Sequence, residues 1–164
     1  MAEFYRLVGN LPQFTEAFNR FATPDQLHSA GGLLMFLEEN QGVCDWGVDS
    51  QGRVFQCWHD GDDRHDMELD LSAFLELIVQ YQVAQGGDYG YSIGVSDEEL
   101  AELLAQDGWQ ETVKHNGLLI HRLHAFLIWR FCNAEGAVED DLVYFCSLVE
   151  PPDAIKQRYD LEEL

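Results

Sequence analysis

The fold is decided by one stretch of sequence, which runs Leu33-Leu-Met-Phe-Leu-Glu38, turns at Gly42, and continues as Val43-Cys-Asp-Trp-Gly-Val-Asp49 and Arg53-Val-Phe-Gln-Cys-Trp58. The three segments are rich in apolar and aromatic residues, and turn residues separate them, which predicts a three-stranded meander. In the last segment apolar side chains fall on both faces of the strand. We therefore expect helices to cover the sheet, and Trp46 and Trp58 to pack within it.

Apolar residues at helical spacing predict four helices around this meander. The helix that begins at Ser96 is the best defined, because Ser96 and Glu99 form a capping box and Gly108 supplies a stop. Another is expected to end in a left-handed stop at Gly86-Gly87. The four predicted helices are Pro12 to Phe21, Asp70 or Ser72 to Gln85, Ser96 to Gly108, and Asp153 to Tyr159.

The second half of the chain also contains strand patterns. Trp109 to Lys114 and Leu118 to Leu123 surround Asn116-Gly117, a dipeptide typical of a two-residue hairpin turn. Ala125 to Cys132 and Leu142 to Leu148 are rich in aromatic and branched residues and are expected to extend the same sheet.

The stretch Leu34 to Val48 resembles the signature of the SUKH superfamily, whose bacterial members include many immunity proteins of toxin systems. In that family a hydrophobic strand runs into Glu-Glu-Asn-Gln-Gly-Val, as Glu38 to Val43 does, and a Trp-Gly pair follows, as Trp46-Gly47 does. The segment Leu71 to Gly87 is similar to the family's helix after the meander. Relatives often carry Pro-Pro-Val-Trp before the last strand, where this chain has Arg53 to Trp58.

The resemblance covers about residues 10 to 87. It implies an α+β domain that serves as a recognition scaffold without a shared catalytic constellation. No linker, repeat or low-complexity segment interrupts the 164 residues, so we expect one SUKH-like domain over residues 1–164. The expected fold is a mostly antiparallel sheet of about five to seven strands packed with three to four helices.

The charge of the chain excludes several classes of partner. Nine Lys and Arg face 30 Asp and Glu, a net charge of −21. The excess is spread evenly, since residues 1–82 carry 4 basic and 14 acidic side chains and residues 83–164 carry 5 and 16. Such a field repels nucleic acid and anionic membranes and speeds encounter with a cationic partner. High solubility alone is the other interpretation of this charge.

Neither a signal peptide nor an apolar run of membrane-spanning length is recognisable, so we expect a cytoplasmic protein. The four cysteines, Cys44, Cys57, Cys132 and Cys146, form no Cys-x-x-Cys pair. Each lies among apolar or aromatic neighbours, which predicts buried, reduced thiols.

Two polar motifs invite a catalytic or metal-binding interpretation. Adjacent strand residues point to opposite faces, so Glu38 and Glu39 should not share a pocket, and a connecting turn at Glu38–Gly42 is favoured over a ligand-facing Glu. His59 to Asp66 holds four carboxylates and two imidazoles, yet its Gly and Arg positions do not fit a calcium loop. We expect a solvated acidic loop there, with adventitious cation binding as the alternative.

The pattern as a whole predicts a binding protein, with no enzymatic activity, no cofactor and no metal. We expect an immunity protein that neutralises a cognate toxin with a basic surface by docking acidic loops on it, a nuclease being one candidate class of toxin. The candidate contact residues are Asp60, Asp62, Asp63, Asp66, Glu98, Glu99, Glu102, Glu139, Asp140 and Asp141.

Two other functions stay open at this point. One is an intracellular regulatory scaffold of the same superfamily that has no toxin partner. The other is a metal-dependent hydrolase built on His59, His65 and the nearby Asp residues.

Overall fold

The computed structural model describes residues 2–61, 63–133 and 143–164, with Gln13 described by its backbone alone. The chain divides into two compact units, residues 1–82 and 83–164. Each unit is built around an antiparallel sheet of six strands. The predicted α+β class with antiparallel sheets is confirmed, and the strands are divided between two sheets instead of sharing one.

The first unit contains the predicted meander. Its strands pair antiparallel in the order β1-β3-β4-β5-β6, and β2 also pairs with β3. The elements are α1 (Ala2–Val8), α2 (Pro12–Thr15), β1 (Arg20–Phe21), β2 (His28–Ala30), β3 (Leu33–Glu38), β4 (Cys44–Val48), β5 (Arg53–Trp58), β6 (Arg64–Asp70) and the start of α3 (Leu71–Gly86).

Helix α3 covers the sheet of the first unit, as the meander pattern requires. Phe74 on α3 is 1% exposed and meets Phe36 of β3 edge to face, with ring centroids 5.8 Å apart. Its ring centroid also lies 6.3 Å from that of Trp46 on β4. The prediction that Trp46 packs within the sheet is therefore confirmed.

The predicted helix from Pro12 to Phe21 is wrong beyond its first turn, since α2 ends at Thr15. The amides of Phe18 and Asn19 donate to Oε1 of the buried Gln82, at 3.2 and 2.7 Å, instead of to helical carbonyls. Phe21 then pairs with Leu37 as part of β1. A long-range side-chain acceptor thus replaces the local hydrogen bonds that the periodicity favoured.

The second unit forms a sheet in the order β12-β7-β11-β10-β9-β8. Its elements are β7 (Tyr89–Ile93), α4 (Asp97–Asp107), β8 (Gln110–His115), β9 (Leu118–Leu123), β10 (Phe126–Phe131), β11 (Tyr144–Ser147), α5 (Asp153–Arg158) and β12 (Leu161–Glu163). The predicted hairpin, the added strands and the last helix are all confirmed. The elements α1, β1, β2, β6, β7 and β12 were not predicted.

A chain of hydrogen bonds, buried at Trp109 and exposed at Arg158, joins the ends of α5 and α4 to the residue before β8. Nε1 of Trp109 donates to the hydroxyl of Tyr159, and that hydroxyl donates to Asp107, both at 2.7 Å. Nε and Nη2 of Arg158 donate to the two carboxylate oxygens of Asp107, both at 2.6 Å. The guanidinium lowers the pKa of Asp107, while burial raises the pKa of Tyr159 to about 12.

The predicted glycine stops at the ends of α4 and α3 have different outcomes. Gly108 ends α4 in the left-handed region with φ 76°, as predicted. Gly86 is the last residue of α3, and neither it nor Gly87 has a positive φ, so the left-handed stop is wrong. Gly87 serves a close approach instead, because a Cβ there would lie 2.9 Å from the carbonyl oxygen of Ser147.

Candidate interaction surface

The ten candidate acidic residues fall into three groups. Asp60, Asp63 and Asp66 lie in the first unit and Glu98, Glu99 and Glu102 lie in the second. The remaining four, Asp62, Glu139, Asp140 and Asp141, lie outside the described residues.

Asp60 and Asp63 occupy the connection between β5 and β6, and both are exposed. Among the residues that the structure describes, neither carboxylate takes part in an ion pair. These two side chains are therefore free to meet a cation from another molecule.

The expected acidic loop at His59 to Asp66 is shorter than predicted, because β6 begins at Arg64. Asp66 is therefore a strand residue, paired with Phe55 and half-buried. Its Oδ1 accepts the amide of Glu68 at 2.8 Å, where Glu68 has a φ of 55° at an irregularity of the β5–β6 ladder. Asp66 thus has a role inside the sheet.

Glu98, Glu99 and Glu102 are exposed on α4. The Ser96 side chain accepts the Glu99 amide at 3.3 Å, which confirms the predicted N-cap, while the reciprocal bond of a capping box, from the Ser96 amide to the Glu99 carboxylate, is absent among the described residues. Glu98 and Glu99 lie in the first turn, where a carboxylate is stabilised by the positive end of the helix dipole. The cap and the helix dipole therefore explain the acidic residues of the first turn of α4 without a binding partner.

Two exposed apolar side chains lie near the β5–β6 connection, and the sequence patterns did not predict that they would be exposed. Trp58 at the end of β5 is 43% exposed and Val43 is 44% exposed. The expectation that Trp58 packs within the sheet is thus wrong for nearly half of its surface. Its position at a strand end, directly before His59-Asp60-Gly61, is the signal that could have indicated exposure.

The His59 ring bonds to the turn between β3 and β4 at the same end of the sheet, and we call its two bonds, to Gly42 and Asp45, the His59 clasp. Its Nδ1 lies 2.7 Å from the carbonyl oxygen of Gly42, and its Nε2 lies 2.9 Å from Oδ2 of Asp45. Both partners are acceptors, so the two bonds together require the imidazolium form. The Asp45 carboxylate, helped by the Gly42 carbonyl, raises the pKa of His59.

A cleft of about 550 Å³ opens next to this clasp. Four charged residues are among those that line it: Glu16, Arg20, Glu38 and Asp45. Glu38 and Asp45 are direct neighbours across β3 and β4, and each bonds outward, Glu38 to Arg20 at 3.1 Å and Asp45 to His59. The second oxygen of each carboxylate has no hydrogen-bond partner within the described ranges.

Glu38, Val43, Asp45, Trp58, Asp60 and Asp63 all lie at one end of the first sheet. The strand register places Trp58 on the face of Cys44 and places Glu38 and Asp45 on the other face. The Cα of Trp58 pairs with that of Cys44, the His59 amide donates to the Val43 carbonyl at 3.0 Å, and Cys57 pairs with Arg64, the residue after Asp63. Apolar and acidic side chains therefore share one end of the first sheet.

No protein-family model, curated protein or solved structure matches this chain.

The described ranges also bear on the metal and membrane expectations. They hold no group of three or more His, Cys, Asp or Glu side chains arranged to bind a metal ion. No helix in them is long and apolar enough to cross a membrane.

The four thiols are all free, and two of them match the expected burial. Cys44 and Cys146 are buried, and burial raises the pKa of Cys146 to about 12. Cys57 and Cys132 are partly exposed, which corrects the expectation that all four would be buried.

Proposed function

We propose that this protein is an immunity protein that binds a cognate toxin and neutralises it through its acidic surface. The observation that carries the proposal is the charge excess of both units, 4 basic against 14 acidic side chains and 5 against 16. The exposed carboxylates of Asp60, Asp63 and α4 are part of that excess. A surface of this kind attracts basic proteins and repels polyanions.

The toxin assignment draws on the resemblance of Leu34 to Val48 to the SUKH superfamily. A toxin that acts on nucleic acid needs a cationic substrate site. An acidic inhibitor of such a toxin competes directly with the substrate for that site, which makes a nuclease the favoured class of toxin.

The proposal is tested by co-expression with the product of the adjacent gene. We expect that product alone to arrest growth and this chain to restore it. Loss of growth rescue in a folded variant carrying Asp60→Asn, Asp63→Asn, Glu98→Gln, Glu99→Gln and Glu102→Gln would support the acidic surface as the binding element.

A toxic neighbour that this chain does not rescue, and does not bind when both are purified, contradicts the proposal. A neighbour that is not toxic but forms a stoichiometric complex with this chain would instead favour the regulatory scaffold.

A further inference from the structure

The second sheet ends on one side in an edge strand that carries little of the chain's acidity. β8 is the last strand in the order β12-β7-β11-β10-β9-β8, and no other described strand lies beyond it. Residues 108–133, which contain β8, β9 and β10, carry three basic side chains and one acidic side chain. The rest of the chain carries six basic and 29 acidic side chains. Two copies of this acidic molecule therefore repel each other least when they approach through this part of the surface.

The acidic and the basic residue of β8 lie on the same face of this edge. Glu111 and Lys114 are both exposed, and in a regular strand residues three apart point to opposite faces. The β8–β9 ladder shifts between Glu111 and Val113, so Glu111 pairs with His121 and Lys114 pairs with Leu119, two residues apart on β9. Neither Glu111 nor Lys114 takes part in an ion pair within the described residues. One carboxylate and one ammonium group thus stand side by side on the edge and can each meet an opposite charge.

We infer that β8 is the contact surface for a second copy of this chain, whose own β8 adds to the edge as an antiparallel strand. A twofold axis makes the contacts reciprocal. In the register that sets Glu111 opposite Lys114 of the second copy, Lys114 also lies opposite Glu111 of that copy. Two cross-strand ion pairs then stabilise the junction, and the two six-stranded sheets become one continuous sheet. This self-association is independent of the proposed function.

The edge strands β6 and β12 do not offer the same complementarity to a second copy. β6 carries three carboxylates, and Glu68 interrupts it with a φ of 55°. An antiparallel register that sets Arg64 opposite Asp70 of a second copy also sets Asp66 opposite Glu68, where two carboxylates repel each other. β12 is three residues long and contains two glutamates. Charge therefore protects these two edges from self-pairing, whereas the charges of β8 favour it.

Sedimentation equilibrium of the purified full-length protein tests the inference, because it measures molecular mass as a function of protein concentration. We expect a reversible monomer–dimer equilibrium at about 150 mM salt, where screening limits the repulsion between the two acidic molecules to short range. Lys114→Glu sets carboxylates opposite each other at both reciprocal contacts and should weaken the dimer about tenfold or more. Glu111→Lys sets ammonium groups opposite each other and should weaken it to a similar extent.

A charge exchange and a matched control make the test specific for this contact. Glu111→Lys combined with Lys114→Glu exchanges the two charges and should restore the dimer to within about threefold of the parent protein. Arg122→Glu makes the same change of net charge as Lys114→Glu, but it lies on β9 and on the opposite face of the sheet. It should change the dimer dissociation constant by no more than about twofold.

The inference is overturned if the parent protein stays monomeric at concentrations up to about 1 mM. It is equally overturned if Arg122→Glu weakens the dimer as much as Lys114→Glu does, or if the exchanged variant does not restore it, because the contact then lies on another surface. Circular dichroism shows whether each variant is folded. Should Lys114→Glu not fold, Glu111→Lys makes the same contacts repulsive and decides the question by the same comparison.

Discussion

At the scale of single residues, hydrogen-bond partners decide which acidic side chains are available to another molecule. The Asp66 carboxylate accepts a hydrogen bond from the amide of Glu68. The Asp107 carboxylate accepts bonds from Arg158 and Tyr159, so neither is a free surface charge. Asp60 and Asp63 have the same side chain and form no ion pair within the described residues. The environment, and not the residue type, separates carboxylates that have a structural role from those left available on the surface.

His59 provides the pH prediction at this scale. Because Asp45 and the Gly42 carbonyl raise its pKa above 6.5, the charged clasp stabilises the native turn below about pH 6.5. That contribution is lost as the pH rises through the raised pKa. The nearby Glu38 carboxylate acts in the same direction as Asp45.

An NMR titration of the histidine rings measures this effect. We expect the His59 midpoint to lie above 6.5 and to fall in Asp45→Asn. His121 is the internal control, because burial lowers its pKa and Asp45→Asn should leave it unchanged. A His59 midpoint that Asp45→Asn does not move would refute the clasp.

At the scale of elements, a local pattern held where its own residues supply the bonding partners and failed where a distant residue supplies one. The Asn116-Gly117 pair predicted the β8–β9 hairpin, and both residues have positive φ, 45° and 81°. The backbone of such a turn is dictated by its own two residues. The helix expected over Pro12 to Phe21 failed because a partner distant in sequence, Gln82, captured its amides.

Gly117→Ala should destabilise the protein by about 2 kcal/mol or more, since positive φ alone costs about 1–2 kcal/mol for a residue with a Cβ. The added methyl would also lie 2.4 Å from the carbonyl oxygen of Cys132. Gly108→Ala is the matched control in the same unit, with a similar φ of 76° but open space around the Cβ. Denaturant unfolding should show a larger decrease in the free energy of unfolding for Gly117→Ala than for Gly108→Ala. Equal decreases would contradict the steric argument.

At the scale of the whole molecule, net charge governs how fast a partner arrives and apolar contact governs how long it stays. A charge of −21 produces a field that extends beyond any single contact. Salt screens that field, whereas a desolvated aromatic anchor is much less sensitive to it.

We therefore expect the association rate with the proposed toxin to fall about tenfold or more between about 50 and about 500 mM salt. Asp60→Asn with Asp63→Asn should lower the association rate, and Trp58→Leu should raise the dissociation rate. Stopped-flow mixing separates the two rates. An association rate that does not change with salt would remove electrostatic steering from the account.

The sequence alone determined the α+β class, the meander from Leu33 to Trp58, the cap at Ser96, the hairpin at Asn116-Gly117 and the acidic character of the surface. All of these follow from alternation, turn chemistry or charge within a few neighbouring residues. Only the tertiary structure decided that the strands form two sheets, that Asp66 pairs with Phe55 in a strand, and that Gln82 takes the amides of the expected first helix. These outcomes depend on contacts between residues far apart in the chain, which no local pattern encodes.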